Sequence, residues 1–552
     1  MKKLPADNRL SQAFRSQDGL ALLQAIILIS IVASLLLIIV SVTLLGLNVS
    51  KQGVRRTAAL HIAEAGINYY LWHLVHDPAD YCDGNPCVGS PPYGPFVHDF
   101  HDNTGKKIGS YTLWIAPPSI TDGSKVVICH TPPATNETIS VAPSAVQGHL
   151  DHGDFLGPCE GGGTGGGTVV VESRGDVEDG NENRTIVAAL GIPSFAQYAV
   201  VANDTVNHIR FGEDTEIFGP IHNNGGVRFD GVAHDLVTSA MAEYNDPDHD
   251  DIDSPQHSYH PDNILEPGVH THVPPDEDRF LGGKSFPVPP VDFAQVTADL
   301  NEIETQATDD GYYYGPTGAG YHIVLGNNNY TIYRVNSVTA SCNTSLGWQP
   351  TYGISSQSVV AAGVSYPTNG VIFVDDNLWV DGKIMDVALT IASSEEIYIN
   401  NDIEYTYLDG RDKLGLIAQE NISVGLYSEG SFSGSSDQRE LTIHAALLAQ
   451  NGRVGRNYYP YRYRQFSWQS WSYCLQSSDN YWQRNKISVY GSLATNRRYG
   501  FSWICGDTWT IGDYCDSGYD VREVTYDENL SASPPPSFPT IGNYAILDWR
   551  EK

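Results

Sequence analysis

Positive charge is scarce in this chain. Lys and Arg number 32 against 65 Asp and Glu, a formal net charge of -33, so unspecific attraction to phosphate backbones or anionic lipid is disfavoured over most of the surface. Nucleic acid is therefore an unexpected partner. Catalytic signatures are also missing: there is no nucleophile elbow, no zinc-protease helix and no phosphate loop, and the chain is not read as an enzyme. Cysteine is sparse but even in number, eight in 552 residues. Cys82 and Cys87 in "YCDGNPCVG" bracket a Gly/Pro turn, a spacing that suits a small disulfide loop in an oxidising compartment.

What is abundant points to β structure. A hydrophobic content of 41% with 53 Gly and 31 Pro describes a loop-rich, mostly β protein long enough for two or three domains. The exception lies at the start. From Leu20 to Leu47 no residue is charged, and as a helix that run spans about 42 Å, against about 30 Å of bilayer hydrocarbon. A secretory signal has a shorter apolar core followed by small-residue cleavage chemistry, which is not evident here. The helical pattern continues beyond the run, with Ala58, Ile62, Ala65, Tyr69 and Trp72 at steps of four and three as the expected apolar stripe, and ends at Asp77 and Pro78. The acidic bulk and the cysteines place the C-terminal part outside a single-pass cell-membrane anchor in contact with membrane lipid. A plain anchor of this kind is the simpler alternative.

A basic leader, Gly19 directly before an apolar helix and a polar residue, Gln24, at the fifth place after it resemble the class III signal of type IV pilins and pseudopilins. The "AEAG" run, Ala63 to Gly66, is similar to the continuation in minor pilins of the PilX type. The resemblance implies cutting between Gly19 and Leu20 by a prepilin peptidase, incorporation into a pilus and contact with other pilin-like subunits. The chain departs from the family at Gln24, where a glutamate is usual, and at Leu20, where phenylalanine is usual.

Residues 78–124 follow as a small pilin-head-like segment, and 125–160 as a Cys/His module. There Cys129, His130, His149, His152 and Cys159 have the composition of a zinc set, His149 and His152 sharing one face if helical. A Cys129–Cys159 disulfide with exposed histidines is the competing assignment. "CHTPP" and "HLDHGD" resemble a short module of bacterial secreted and surface proteins. Residues 161–194, opening with "EGGGTGGGT", are expected as a tether.

From 195 to 552 short strand-like runs recur, their first aliphatics being Ile209, Val227, Leu378, Ile397, Ile422, Leu441 and Ile487. Steps near twenty with Gly, Asn or Asp at the turns predict a parallel β-helix-like solenoid with insertions at about 241–370 and 453–485; a β-sandwich is the alternative. The fold class is thus mainly β with one long N-terminal α-helix. "FGPIHNNGGVRFDG", "LGLIAQENISV" and "SASPPPSFP" resemble an uncharacterised domain found after pilin-like helices in bacterial surface proteins, which implies a structural or adhesive role.

Three patches carry ligand expectations. Asp246, Asp248 and Asp250 alternate in a loop that also holds His249, His257, His260, His270 and His272; the alternation suits calcium, although the EF-hand glycine and glutamate are replaced. Arg456, Tyr461, Arg462, Arg464, Trp468 and Trp471 interleave cations with aromatics, as for a glycan or other cell-surface ligand. Asp375, Asp376 and Asp381 surround one strand, and a surface β-helix enzyme acting on polysaccharide would draw on such carboxylates.

Overall fold

The computed structural model describes residues 17–77, 80–88, 91–117, 126–130, 137–141, 155–156, 169–178, 180–205, 208–213, 215–246, 265–293, 295–344, 347–429, 440–459, 481–503, 517–542 and 544–552. The chain is mainly β with one long N-terminal helix, α1 (Gln17–His76). Among the described residues nothing packs against its first half: the large apolar side chains from Leu22 to Val49 are all exposed. By length and composition this helix can cross a membrane.

The second half of α1 lies on a five-stranded antiparallel sheet. Strands Tyr93–His101, Lys107–Ala116, Val169–Val177, Asn183–Gly191 and Ala545–Glu551 pair in that order. One face is solvated and the other buries Leu113, Ile115, Val169, Val171, Ile186, Ala188 and Leu190 against the helix, the alternation expected of a half-covered antiparallel sheet. Two of these strands occupy 169 to 191, where a tether was expected; "VVVESRGDV" alternates inward and outward residues as a strand must.

The buried face of the helix keeps Ile62 of the expected stripe and is turned away from Trp72. Ala59, Ile62, Ala63, Ile67, Tyr70 and Leu74 are buried, whereas Trp72 remains 59% exposed and lies beside His76. The reason is close approach. A Cβ on Gly175 would stand 2.2 Å from the Ala59 carbonyl oxygen and 2.5 Å from the Ala63 nitrogen, and one on Gly66 would stand 2.3 Å from Ser173 Oγ. Helix and sheet backbones meet along a seam of small residues that has no room for an indole. Beyond the helix, the Cys82–Cys87 disulfide closes the expected loop. Asp80 and Asp83 tie that loop to the stem: Asp80 Oδ2 contacts His73 Nε2 at 2.9 Å, and Tyr69 donates to Asp83 Oδ1 at 3.0 Å.

The outer part is built on a 22-stranded, mostly parallel sheet. Part of the expected alignment appears as backbone register: Ile209 stands opposite Val227, Leu378 opposite Ile397, Ile397 opposite Ile422 and Leu441 opposite Ile487, whereas Val227 pairs onward with Val269 rather than Leu378. The first of these pairs belongs to a separate three-stranded parallel sheet. Ile422 pairs onward with Val454 rather than Leu441. One ladder runs Ile372, Ile391, Leu416, Leu447, Leu493, Val200, Ile221, Val237, each opposite the next and all in the core. The adjacent ladder, Phe373, Ala392, Ile417, Leu448, Ala494 and Val201, faces a second core covered by the helix Gln295–Asp309 and by Phe195, Leu530 and Phe538. Burial on both faces explains why runs such as "VIFV" and "ALLA" do not alternate.

The stack does not follow chain order. Strand Val200–Ala202 adds beside Gln483–Thr495, which returns the end of this part to its beginning. Phe195 N donates to Pro539 O and Ile541 N to Pro193 O, and Ser194 bridges Thr540. Both connections therefore leave at one place, directly into Asn183–Gly191 and Ala545–Glu551, which pair with each other. The outer part is an insertion between the last two strands of the sheet on the stem.

Candidate functional site

Three short parallel strands, Ile209–Phe211, Val227–Phe229 and Val269–His270, lie in register with Val227 opposite both Ile209 and Val269. Those three aliphatics are fully buried in the core. Side chains alternate along a strand, so His208, Arg210, Arg228 and His270 belong to the opposite face, with Asp230 and His272 just beyond. Across that face runs the antiparallel pair Glu243–Asn245 and Leu265–Pro267. Gly226 makes this possible: a Cβ there would stand 2.2 Å from the Tyr244 ring.

Asp246 leaves this pair fully buried among imidazoles. Its Oδ2 lies 3.2 Å from His270 Nε2 and 3.8 Å from His272 Nε2, and its Oδ1 lies 3.4 Å from His208 Nε2. The ligand atoms of Asp246, His270 and His272 all fall within 4.8 Å of one another. Among the described residues, His208 Nε2, His270 Nε2 and both ring nitrogens of His272 are buried and make no hydrogen bond. The outer layer is ordered. His270 Nδ1 meets the Tyr244 hydroxyl at 3.2 Å, while Asp230 accepts from Arg228 Nε at 2.7 Å and from His272 N at 2.8 Å.

Burial favours the neutral form of His208 and His272. Burial pushes His208 down to about 3; Asp246 opposes this, and Arg498, Arg210 and Arg228 reinforce it. Burial, then Arg228 and His270, pushes His272 down to about 4. A neutral imidazole offers a lone pair, so the pocket presents nitrogen donors beside one carboxylate.

The other expected residues are distributed as follows. Gly19, Leu20 and Gln24 lie on α1, with Gln24 exposed. Cys129 and His130 end the central strand, Val126–His130, of a three-stranded antiparallel sheet; His149, His152 and Cys159 lie outside the described residues. Asp248 and Asp250 also lie outside them, as do His249, His257 and His260, and Asp246 is grouped with histidines from other segments. Arg456, expected on a ligand-binding patch, is instead fully buried: its guanidinium donates to the carbonyls of Tyr481 at 2.6 Å, Trp482 at 3.3 Å and Leu426 at 3.4 Å. A group so enclosed reaches no external ligand. Tyr461, Arg462, Arg464, Trp468 and Trp471 lie outside the described residues.

Of the carboxylates around one strand, Asp376 anchors a turn. Burial alone would raise its pKa, but amides of Thr317, Asn377 and Gly318 hold it below the ordinary carboxylate value. Asp375 accepts from the Tyr313 hydroxyl. Asp381 Oδ2 contacts His322 Nε2 at 3.0 Å and accepts from Asn401 Nδ2 at 3.0 Å, on the wall of a cavity of about 580 Å3. The three do not converge on one point.

Sequence reading missed His208, Arg228, Asp230 and Tyr244. The step from Ile209 to Val227 was legible; carrying the same register on to Val269 in "GVHTH" would have aligned His208 with Gly226 and His270 with Arg228.

No family model matches the chain, and no curated protein matches it. A solved structure, that of the competence-associated pilin ComZ from Thermus thermophilus, is similar at 13% identity and a TM-score of 0.29, covering 90% of this chain and 97% of that one. Likeness of that degree carries no functional argument.

Proposed function

We propose that this protein is a membrane-anchored structural or adhesive component of a type IV pilus-like system, with its outer part exposed outside the cell. One observation carries the reading: α1 is bare and apolar over its first half, and its second half is seated on an antiparallel sheet along a small-residue seam. Such a stem can lie in lipid before assembly and against other pilin-like helices afterwards. A disulfide just after the stem and a strongly acidic composition agree with an oxidising, extracytoplasmic setting. The parallel ladders of the outer part are read as turns of a β-helix, a rigid body suited to presenting loops to a glycan or another surface ligand. Processing would fall between Gly19 and Leu20, with Gln24 offering a hydrogen bond where the family uses a charge. Mass spectrometry of the N-terminus of protein purified from membranes tests this. Loss of residues 1 to 19 and a methylated Leu20 are expected; a retained Met1 would reduce the protein to a plain anchor.

A further inference from the structure

We propose that Asp246, His270 and His272 bind a divalent transition-metal ion, with His208 and Tyr244 positioning the ligands. The inference is independent of the pilus reading. Three segments distant from it in sequence converge on one fully buried carboxylate, and the imidazole nitrogens that face it make no hydrogen bond among the described residues. Their spacing is compatible with one ion. Zinc bonds of 2.0–2.1 Å in a tetrahedron put neighbouring donor atoms about 3.3 Å apart. The observed contacts with Asp246 are 3.2 Å for His270 and 3.8 Å for His272.

The donor types select the metal class. Calcium takes six to eight oxygens, whereas two imidazoles with one carboxylate suit zinc and its neighbours. Three protein donors leave a fourth position for water or an external ligand. The supporting contacts are those such a site needs: the Tyr244 hydroxyl holds the ring direction of His270 and can accept from Nδ1–H, the tautomer that leaves Nε2 as the ligand atom, and His208 stands against the other oxygen of Asp246. Arg228 Nη1 is 3.7 Å from Asp246 Oδ2, a repulsive neighbour for a cation, but its Nε is paired with Asp230 at 2.7 Å.

An ion here would pin Glu243–Asn245 and the His270–His272 segment together on the face of the parallel strands. The test uses full-length protein in detergent, stripped with EDTA and titrated with Co2+ and Zn2+. In a Cys129→Ser, Cys159→Ser background, which removes both cysteines of the Cys/His module, one equivalent of Co2+ should still bind. It should give d–d absorption without thiolate charge transfer. Asp246→Asn and the His270→Ala, His272→Ala pair should lose that equivalent. Tyr244→Phe should keep the stoichiometry and weaken affinity roughly 10–100-fold. Zn2+ should also raise the melting temperature of the parent and not of Asp246→Asn. Circular dichroism checks that each variant folds, and if the double histidine variant does not, Asp246→Asn and Tyr244→Phe decide. Absence of a stoichiometric equivalent in the folded parent overturns the proposal, as does its undiminished retention by folded Asp246→Asn.

Discussion

The seam between stem and sheet predicts a large effect from a single methyl group. Gly175 stands opposite Tyr111 in the sheet and directly beneath α1. In Gly175→Ala the new carbon would begin 2.2 Å from the Ala59 carbonyl oxygen and 2.5 Å from the Ala63 nitrogen. Both are helix backbone atoms, so no side chain can swing aside. The helix has to withdraw by roughly 1 Å to restore contact distance, which loosens packing over Ile62, Ile67 and Leu113 together. Overpacking of this kind costs about 1–3 kcal/mol, and replacing glycine in a strand returns about 0.5–1 kcal/mol. The difference spans about 0–2.5 kcal/mol, and its middle, roughly 1–1.5 kcal/mol, corresponds to roughly five- to twelvefold more frequent local opening; contact with unyielding backbone on both sides places this site at or above that middle. Since a chain of several parts need not unfold as one unit, amide hydrogen exchange of peptides from Lys107–Ala116 and Val169–Val177 is the appropriate readout. Gly53→Ala, in the same helix with nothing within 4 Å of the new methyl, serves as the control and should not raise exchange. Unchanged exchange in Gly175→Ala would refute the close-packed seam.

Two further outcomes follow from buried charge. Arg456→Met should destabilise the outer part by about 1–3 kcal/mol, because the carbonyls of Leu426, Tyr481 and Trp482 are left without their donor inside the protein; a thermal melt indistinguishable from the parent would disprove that role. Burial, then the charge of Asp402, pushes Glu429 up from its ordinary 4.5 to about 8. The folded state therefore binds more protons than the unfolded one between those values, and stability falls as pH rises through that window. Glu429→Gln should flatten this decline, so its melting temperature should gain on the parent from pH 5 to pH 8.5. Parallel profiles would contradict it.

Features set by neighbouring residues were readable in advance. The cysteine pair around "DGNP" and the end of the helix at Asp77 depend only on local turns and on an apolar run too long for anything but a helix. The strand registers at Ile209 with Val227 and at Leu378 with Ile397 were readable because a repeated step places like residues opposite one another. The helix face was not. Periodicity admits several stripes on a helix rich in Ala, Ile and Tyr, and the sheet selected the one whose small residues meet Gly175 and Ser173. The buried position of Arg456 was hidden for the opposite reason: an Arg/Tyr/Trp-rich stretch has the same composition whether it faces solvent or three inward carbonyls.

Composition and local pattern alone thus determined an acidic, mostly β chain on a long apolar stem, because charge, hydrophobic run length and turn chemistry act between residues close in sequence. Tertiary structure alone decided that the strand Ala545–Glu551 returns to complete the sheet on the stem, and that His208, Asp246, His270 and His272 meet at one point. Strand pairing and the convergence of side chains across a stack depend on contacts between residues tens to hundreds of positions apart, which no local spacing specifies.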